Sequence, residues 1–501
     1  MIVERVNWQP YGQVTFERAR TESRPIVVMY HGKWCLWCRR FEKDTLHQPE
    51  IASYLNENFV CIQVDVDERP DLSQDQRPEF LPTVQLLSAN GVPVYTLNGY
   101  RTPDAFRHVL DQVLRYHRDG TLHDLEPETR HPDGGSAEPA TCEYRPLPAI
   151  RDEFLVRLEN EFDEQFGGFG NAQKFPMPWL LDFLLELHEE TGQEQWLTMV
   201  EQTLQAIAHG LYDPVEGGFF RYSVTADWTQ PHFEKLLAPT ATLGLVYLRA
   251  WQAGGDDAHR GRGQKALDYV LNVLRDPDGG FYGNQAAVEQ ENYFRFDLDK
   301  RREMETPPID MTRYADANAQ AIVALLATSD LLDEPRYAEA AIEALNFLRT
   351  HMIDDDGVYH YYRAAEGRPR LNGQLADSAW STLAFLAGYE YTGDPQLAGT
   401  ALRLLDYTLV TMYDEEQGGF FVRRSTSHDL YRADEAASTD KPLRENGVMA
   451  FALARSLQHW DDSARRETLS QTLRFLTCRP SENLEDYVYY LRAIKACTSE
   501  V

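Results

Sequence analysis

Cysteine is scarce in this chain, with six residues in 501, at positions 35, 38, 61, 142, 478 and 497. So few thiols, none of them spaced for zinc outside one close pair, exclude a disulfide-stapled scaffold and point to a reducing compartment. Long apolar runs are missing too. No stretch approaches the ~18 apolar residues of a membrane span, and Met1–Asn7 lacks the basic-then-apolar pattern of an export leader. These absences predict a soluble, cytoplasmic protein with no membrane partner. Basic clusters are also lacking: 49 Lys and Arg stand against 79 Asp and Glu, for a net charge of −30. A phosphate backbone is held by clustered cations, so nucleic acid is excluded as a partner. The acid is spread along the chain rather than gathered in a tail, which suits a solvated surface and a salt-rich cytoplasm. No residue pattern calls for a metal or a cofactor.

What is present begins with Gly32-Lys33-Trp34-Cys35-Leu36-Trp37-Cys38, directly after the apolar run from Pro25 to Tyr30. Two thiols one turn apart, where a buried strand feeds a helix, form a thioredoxin-like redox motif. Cys35 at the positive end of a helix, beside Lys33, Arg39 and Arg40, is favoured as thiolate, and Cys38 is the resolving thiol. Further elements fall where such a fold needs them: a helical stretch 41–56 broken near Pro49, strands 59–65, 84–88 and 92–97, the last two joined through Ala89-Asn90-Gly91, and a helix 103–116. In thioredoxin-like proteins a cis-proline faces the cysteines, and Pro82 resembles it. Thioredoxins also carry a buried carboxylate six residues ahead of the first cysteine. Here that position is Met29, so a docking or structural use of the same fold stays open.

The rest of the chain reads as an array. Residues 120–148 shift to Glu, Pro, His, Gly and Ser and form a linker. Beyond it an Asp…Gly-Gly-Phe phrase recurs at Asp163–Phe169, Asp213–Phe219, Asp276–Phe281 and Asp414–Phe420, with a weaker form at Asp354–Tyr359. Apolar periodicity places helices near 149–161, 177–190, 195–209, 232–252, 263–274, 314–331, 335–351, 375–391, 395–412, 444–459, 462–476 and 483–496. Paired as hairpins, these make an (α/α)6 barrel over 149–501, behind an α/β thioredoxin-like domain over 1–119. The glycines suit helix stops and the aromatic residue packs on the wall.

If helices alternate between an outer and an inner ring, every phrase precedes an inner helix, and the residues before those helices converge. They include Lys174; Trp228, His232, Glu234 and Lys235; Tyr314, Asp316 and Asn318; Asp377 and Trp380; Glu445 and Asn446. Acids and amides for hydroxyl groups, with aromatic planes for an apolar ring face, compose a sugar-type pocket. Helix capping is the plain alternative for each single carboxylate.

These motifs resemble the thioredoxin-fused proteins typified by spermatogenesis-associated protein 20, in which a thioredoxin-like domain precedes a six-hairpin domain of the glycosidase and N-acylglucosamine 2-epimerase type. The matching stretches are Trp34–Cys38, Val64–Asp71, Gly167–Gly170 with Lys174–Pro176, and Gly217–Tyr222 with Trp228 and Pro231–Lys235; these bring Arg221 and Tyr222 into the candidate pocket. The chain departs from the family pattern at Arg39, Phe41, Glu79–Pro82 and Leu236–Ala241. The resemblance implies a carbohydrate-active protein, an epimerase, isomerase or hydrolase. In the epimerase version His232 moves a proton beside a sugar carbonyl, while Glu234 or Asp377 orients it or serves as the opposing acid. The alternative is a thiol–disulfide redox protein using Cys35 and Cys38 on a protein disulfide partner, with the barrel as a recognition platform for a sugar or other small molecule. A scaffold with two vestigial sites is the third reading.

Overall fold

The computed structural model describes residues 5–72, 80–121, 147–288, 293–424, 440–479 and 481–498. It divides into two compact units, the first described by residues 5–72 and 80–121, the second by residues 147–288, 293–424, 440–479 and 481–498. The expected linker 120–148 lies almost wholly outside the described residues.

In the first unit, helix α1 (Gln13–Glu22) precedes strand β1 (Ile26–His31), helix α2 (Leu36–Phe41), helix α3 (Pro49–Asn58), strands β2 (Val60–Asp65), β3 (Thr83–Leu87) and β4 (Pro93–Asn98), and helix α4 (Pro103–Asp119). The sheet order is β2-β1-β3-β4, with β1 parallel to β2 and antiparallel to β3. β1 is apolar and buried along its length because both faces are covered. Helix α1 was not foreseen. It has little amphipathic contrast and buries only Thr15, Phe16 and Ala19, so periodicity gave no signal.

The second unit is a double ring. Its inner helices are α6 (Pro178–Thr191), α8 (Leu237–Gly254), α10 (Ala315–Leu332), α12 (Leu375–Thr392), α14 (Leu443–His459) and α16 (Glu485–Thr498). Each packs on the next, and α16 returns to α6. The outer helices α5 (Leu147–Glu161), α7 (Glu194–Gly210), α9 (Asp257–Tyr269), α11 (Pro335–Phe347), α13 (Pro395–Met412) and α15 (Ser463–Thr477) each back an inner one. An antiparallel hairpin, β5 (Gly357–Arg363) with β6 (Arg368–Asn372), interrupts the helical pattern between α11 and α12.

The repeated phrase makes the turn from each outer helix to the next inner one. Asp163, Asp213 and Asp414 each take backbone N–H groups two and three residues onward on Oδ1. Their Oδ2 atoms hold lysines: Lys174 at 2.8 Å, Lys235 at 2.7 Å and Lys441 at 2.5 Å. Arg313 plays that part for Asp276. Gly217 sits at φ 87°, and an added Cβ would lie 2.5 Å from the Lys265 carbonyl oxygen, so only glycine fits.

The corner at Asp213 carries the heaviest charge. Lys235 is fully buried, and Arg301 forks onto both carboxylate oxygens at 2.7 and 2.9 Å. Burial alone would raise the Asp213 pKa, but these two cations outweigh it and hold the carboxyl below its usual range. Asp213→Ala strands two buried cations and is expected to cost about 3–5 kcal/mol, read as a drop in the urea midpoint of the helical unit. Asp163→Ala, at a more exposed corner, is expected to cost less.

Candidate functional site

Cys35 and Cys38 are joined as a disulfide at the entry to α2. Cys35 caps that helix, its Sγ accepting the Cys38 N–H at 3.1 Å, so a Cys35 thiolate meets the free N–H groups and positive end of the helix dipole. Both sulfurs are buried. Pro82 is buried and follows a cis peptide bond from Leu81. Trp37 and Phe80, 42% and 53% exposed, are large apolar side chains left on this unit's surface.

Met29 pairs with Gln63 and Val84 in mid-sheet. At the end of β2, Asp65 stands opposite His31 in the β1–β2 register. Its neighbours clamp the segment before the cysteines: the Trp34 indole donates to Asp67 at 2.6 Å, and Lys33 meets Glu68 at 2.5 Å and Asp65 at 3.9 Å. Asp65 Oδ2 is buried without a hydrogen-bond partner. Burial first, then Asp67 and Glu68, push the Asp65 carboxyl up to about 8, while burial pushes His31 down to about 4.

The two groups oppose each other in linkage. His31, depressed, makes stability rise with pH between about 4 and its ordinary value near 6.5. Asp65, raised, keeps a proton that the unfolded chain has lost, so stability falls as pH climbs towards about 8. Above about 6.5 only the Asp65 slope remains. The unit is expected to lose stability from pH 6.5 to 8, and Asp65→Asn to flatten that loss, measured by urea-dependent hydrogen exchange of β1 and β2 amides.

In the helical unit, two polar clusters lie at the end where the inner helices begin. Asp377, in the first turn of α12, is fully buried. Its oxygens lie 2.9 and 3.0 Å from His360 Nδ1, and Oδ1 also accepts the Asp316 N–H at 3.2 Å. Burial, with Asp316 nearby, raises the Asp377 pKa against the pull of His360. Glu445, in the first turn of α14, is likewise raised, by burial and in part by Asp486 and Asp316. Asp316, His360 and Asp377 bring one ligand atom each within 4.8 Å of one another, a spacing that could hold a cation.

The second cluster precedes α8. His232 Nδ1 stands 3.6 Å from Glu234 Oε1, beyond a hydrogen bond, and Glu234 Oε2 is buried and unpartnered. The His232 ring stacks on Tyr222 at 4.4 Å, and Tyr222 stacks on Phe175 at 4.8 Å. Arg221 lies over the Tyr222 ring at 5.5 Å.

Several residues expected in the pocket do other work. Lys174 and Lys235 neutralise corner aspartates and are fully buried. Asn318 spans the N–H and C=O of Phe281, and Asn446 those of Phe420, so both amides are spent on corner backbone. Trp228 is buried, its indole donating to the Phe166 carbonyl at 3.0 Å. Tyr314 is buried with its hydroxyl on Asp310. Trp380 is buried between Trp179 and Tyr489, at 5.3 and 4.9 Å. Asp377, expected to orient His232, is hydrogen-bonded to His360. His360 follows directly on the weak corner phrase Asp354–Tyr359, and the aromatic-rich run from Val358 to Tyr362 is the strand signal at that place.

Fold and site thus define a thioredoxin-like domain joined in one chain to a six-hairpin (α/α)6 barrel. Residues 2–106 match the DsbH-type thioredoxin family, described as protein of unknown function DUF255. Spermatogenesis-associated protein 20 of Mus musculus is 31% identical over 319 residues, covering 56% of this chain and 39% of that protein. The chain is thus similar to the spermatogenesis-associated protein 20 proteins, over 39% of their length. A thiol:disulfide interchange protein DsbD of Vibrio vulnificus is 35% identical over 80 residues, 15% of this chain and 13% of that one. The cellobiose 2-epimerase of Spirochaeta thermophila superposes with a TM-score of 0.56 at 15% identity, covering 71% of this chain and 98% of its own; that likeness shows the barrel fold. Among the described residues no helix is long and apolar enough to cross a membrane.

Proposed function

We propose that the N-terminal unit performs thiol–disulfide exchange. The observation that carries this is the Cys35–Cys38 disulfide with Cys35 at the cap of α2. In the reduced state the Cys35 thiolate attacks a partner disulfide and forms a mixed disulfide, releasing one partner thiolate. The Cys38 thiolate then attacks Cys35 Sγ, releasing the second partner sulfur. The partner gains two electrons and takes up two protons, while the cysteine pair becomes the disulfide. A donor dithiol of a reducing, cytoplasmic compartment restores the pair. The DsbD likeness supports this chemistry, and the exposed Trp37 and Phe80 offer an apolar surface to a protein partner. Cys38→Ala is expected to accumulate mixed disulfides in a lysate, seen as reductant-sensitive adducts that vanish in Cys35→Ser. An empty trap with a surface-reactive Cys35 would remove the role.

A second reading, for the helical unit, rests on the His360–Asp377 pair at the inner-helix entrances. A carboxylate on Nδ1 fixes the imidazole and stabilises its protonated form, which suits proton transfer at a carbon beside a sugar carbonyl. His232, stacked on Tyr222 and 3.6 Å from Glu234, serves as the second base that epimerisation needs. The epimerase fold likeness supports a polyhydroxylated ligand. With an aldose–ketose panel in heavy water, the protein is expected to place deuterium on the carbon beside the carbonyl, and Asp377→Asn to slow this by about 100-fold. No exchange with any sugar would end the reading.

A further inference from the structure

The first turns of the inner helices gather acid at one end of the ring. Asp316 comes from α10, Asp377 from α12, Glu445 from α14, and Glu485 with Asp486 from α16. Arg444 balances part of this charge, through Glu485, Glu445 and Asp486. Helix N-termini favour a solvated first-turn carboxylate by about 0.3–1 kcal/mol, but Asp377 is 0% exposed. Other buried aspartates of this unit are held by fixed cations: Asp182 by Arg249 and Arg492, Asp213 by Lys235 and Arg301, Asp276 by Arg313. Among the described residues Asp377 pairs with no lysine or arginine; its ion-pair partner is His360.

Three of these groups converge. Asp316, His360 and Asp377 each bring one ligand atom within 4.8 Å of the others. His360 Nδ1 lies 2.9 and 3.0 Å from the two Asp377 oxygens. That is ligand spacing, since two ligands at right angles, each about 2.1 Å from a metal, stand about 3.0 Å apart. Asp316 is half-buried and closes the third position by a turn of its side chain. A separate observation points into the same place. Ser381 stands one turn deeper than Asp377 on α12, on the same face, with its Cα–Cβ bond tilted towards the helix N-terminus and so towards Asp377. Ser381 is 0% exposed, and among the described residues its Oγ has no hydrogen-bond partner. A buried hydroxyl left in that state costs free energy.

We infer that Asp316, His360 and Asp377 bind a divalent transition cation, manganese or zinc, where the inner helices begin. One imidazole nitrogen with two carboxylates departs from the all-oxygen sets that suit calcium and magnesium, and from the thiolate sets of structural zinc. Three protein ligands leave further coordination positions, and a water on the cation donates to Ser381 Oγ. The cation stands where the Nδ1 proton otherwise lies, so the ring carries its proton on Nε2 while the cation is bound. No ring nitrogen is then left to accept a proton. The cation-bound and proton-transferring states of His360 exclude each other, and this inference does not rest on the epimerisation reading.

The test is calorimetric titration of the full chain with manganese, zinc and magnesium chlorides, without sugar and with Cys35 and Cys38 kept oxidised so that thiolates do not compete. One equivalent of manganese or zinc is expected to bind at least about tenfold tighter than magnesium, a difference of about 1.4 kcal/mol; the tighter of the two identifies the metal. Asp316→Asn and His360→Ala, each checked for native helix content, are expected to weaken that binding at least about tenfold. Should a variant fail to fold, X-ray absorption of the metal-loaded wild-type protein replaces it, with one histidine ring expected among the ligands. No saturable binding of either metal up to about 1 mM, equal affinity for magnesium, binding untouched by the folded variants, or a ligand shell without imidazole would overturn the inference.

Discussion

The helical unit depends on buried ion pairs at its corners. Each corner must reverse the chain within a few residues and leave its backbone donors satisfied inside protein, and one aspartate does both by bridging the turn's N–H groups to a buried cation. At Asp213 the cations are Lys235 and Arg301, drawn from segments 22 and 88 residues away in sequence. At Asp414 the cation is Lys441, 27 residues on. Such pairs are costly to desolvate and costlier to break. Each also ties the entrance of an inner helix to the preceding corner, and the Arg313 and Lys441 pairs fix where Asp316 and Glu445 stand.

The corners therefore explain why polar residues meet at the entrance without themselves being the entrance. Lys174, Lys235, Asn318 and Asn446 lie in the same stretches as the exposed or half-exposed His232 and Asp316 and share their chemistry, so sequence spacing does not separate them. Burial does. The amide of Asn446 saturates Phe420 on both sides, which leaves nothing for a ligand, whereas Glu234 keeps a buried oxygen unpartnered.

Most of the architecture was legible because long amphipathic or apolar helices separated by Gly-Gly-Phe turns carry strong periodicity; α12 is expected at 375–391 and found at Leu375–Thr392. The redox motif was legible because strand, Cys-x-x-Cys and helix are contiguous. Long-range pairing was not. His360 joins Asp377 from a hairpin hidden in a helical context, Arg301 reaches Asp213 from a short helix at Leu298–Arg302, and Arg492 meets Asp182 across 310 residues. None of these has a local signature, since each depends on which helix faces which around the ring.

The most direct test of the corner account is native-state hydrogen exchange of the Gly167, Gly217 and Gly418 amides, which donate to Asp163, Asp213 and Asp414 carbonyls at 2.8, 3.0 and 2.9 Å. If the corners hold the ring together, these amides exchange with the same free energy as mid-helix amides of α8, α10 and α12, by opening of the whole helical unit. Corner amides that exchange through local opening while the inner helices stay protected would contradict it.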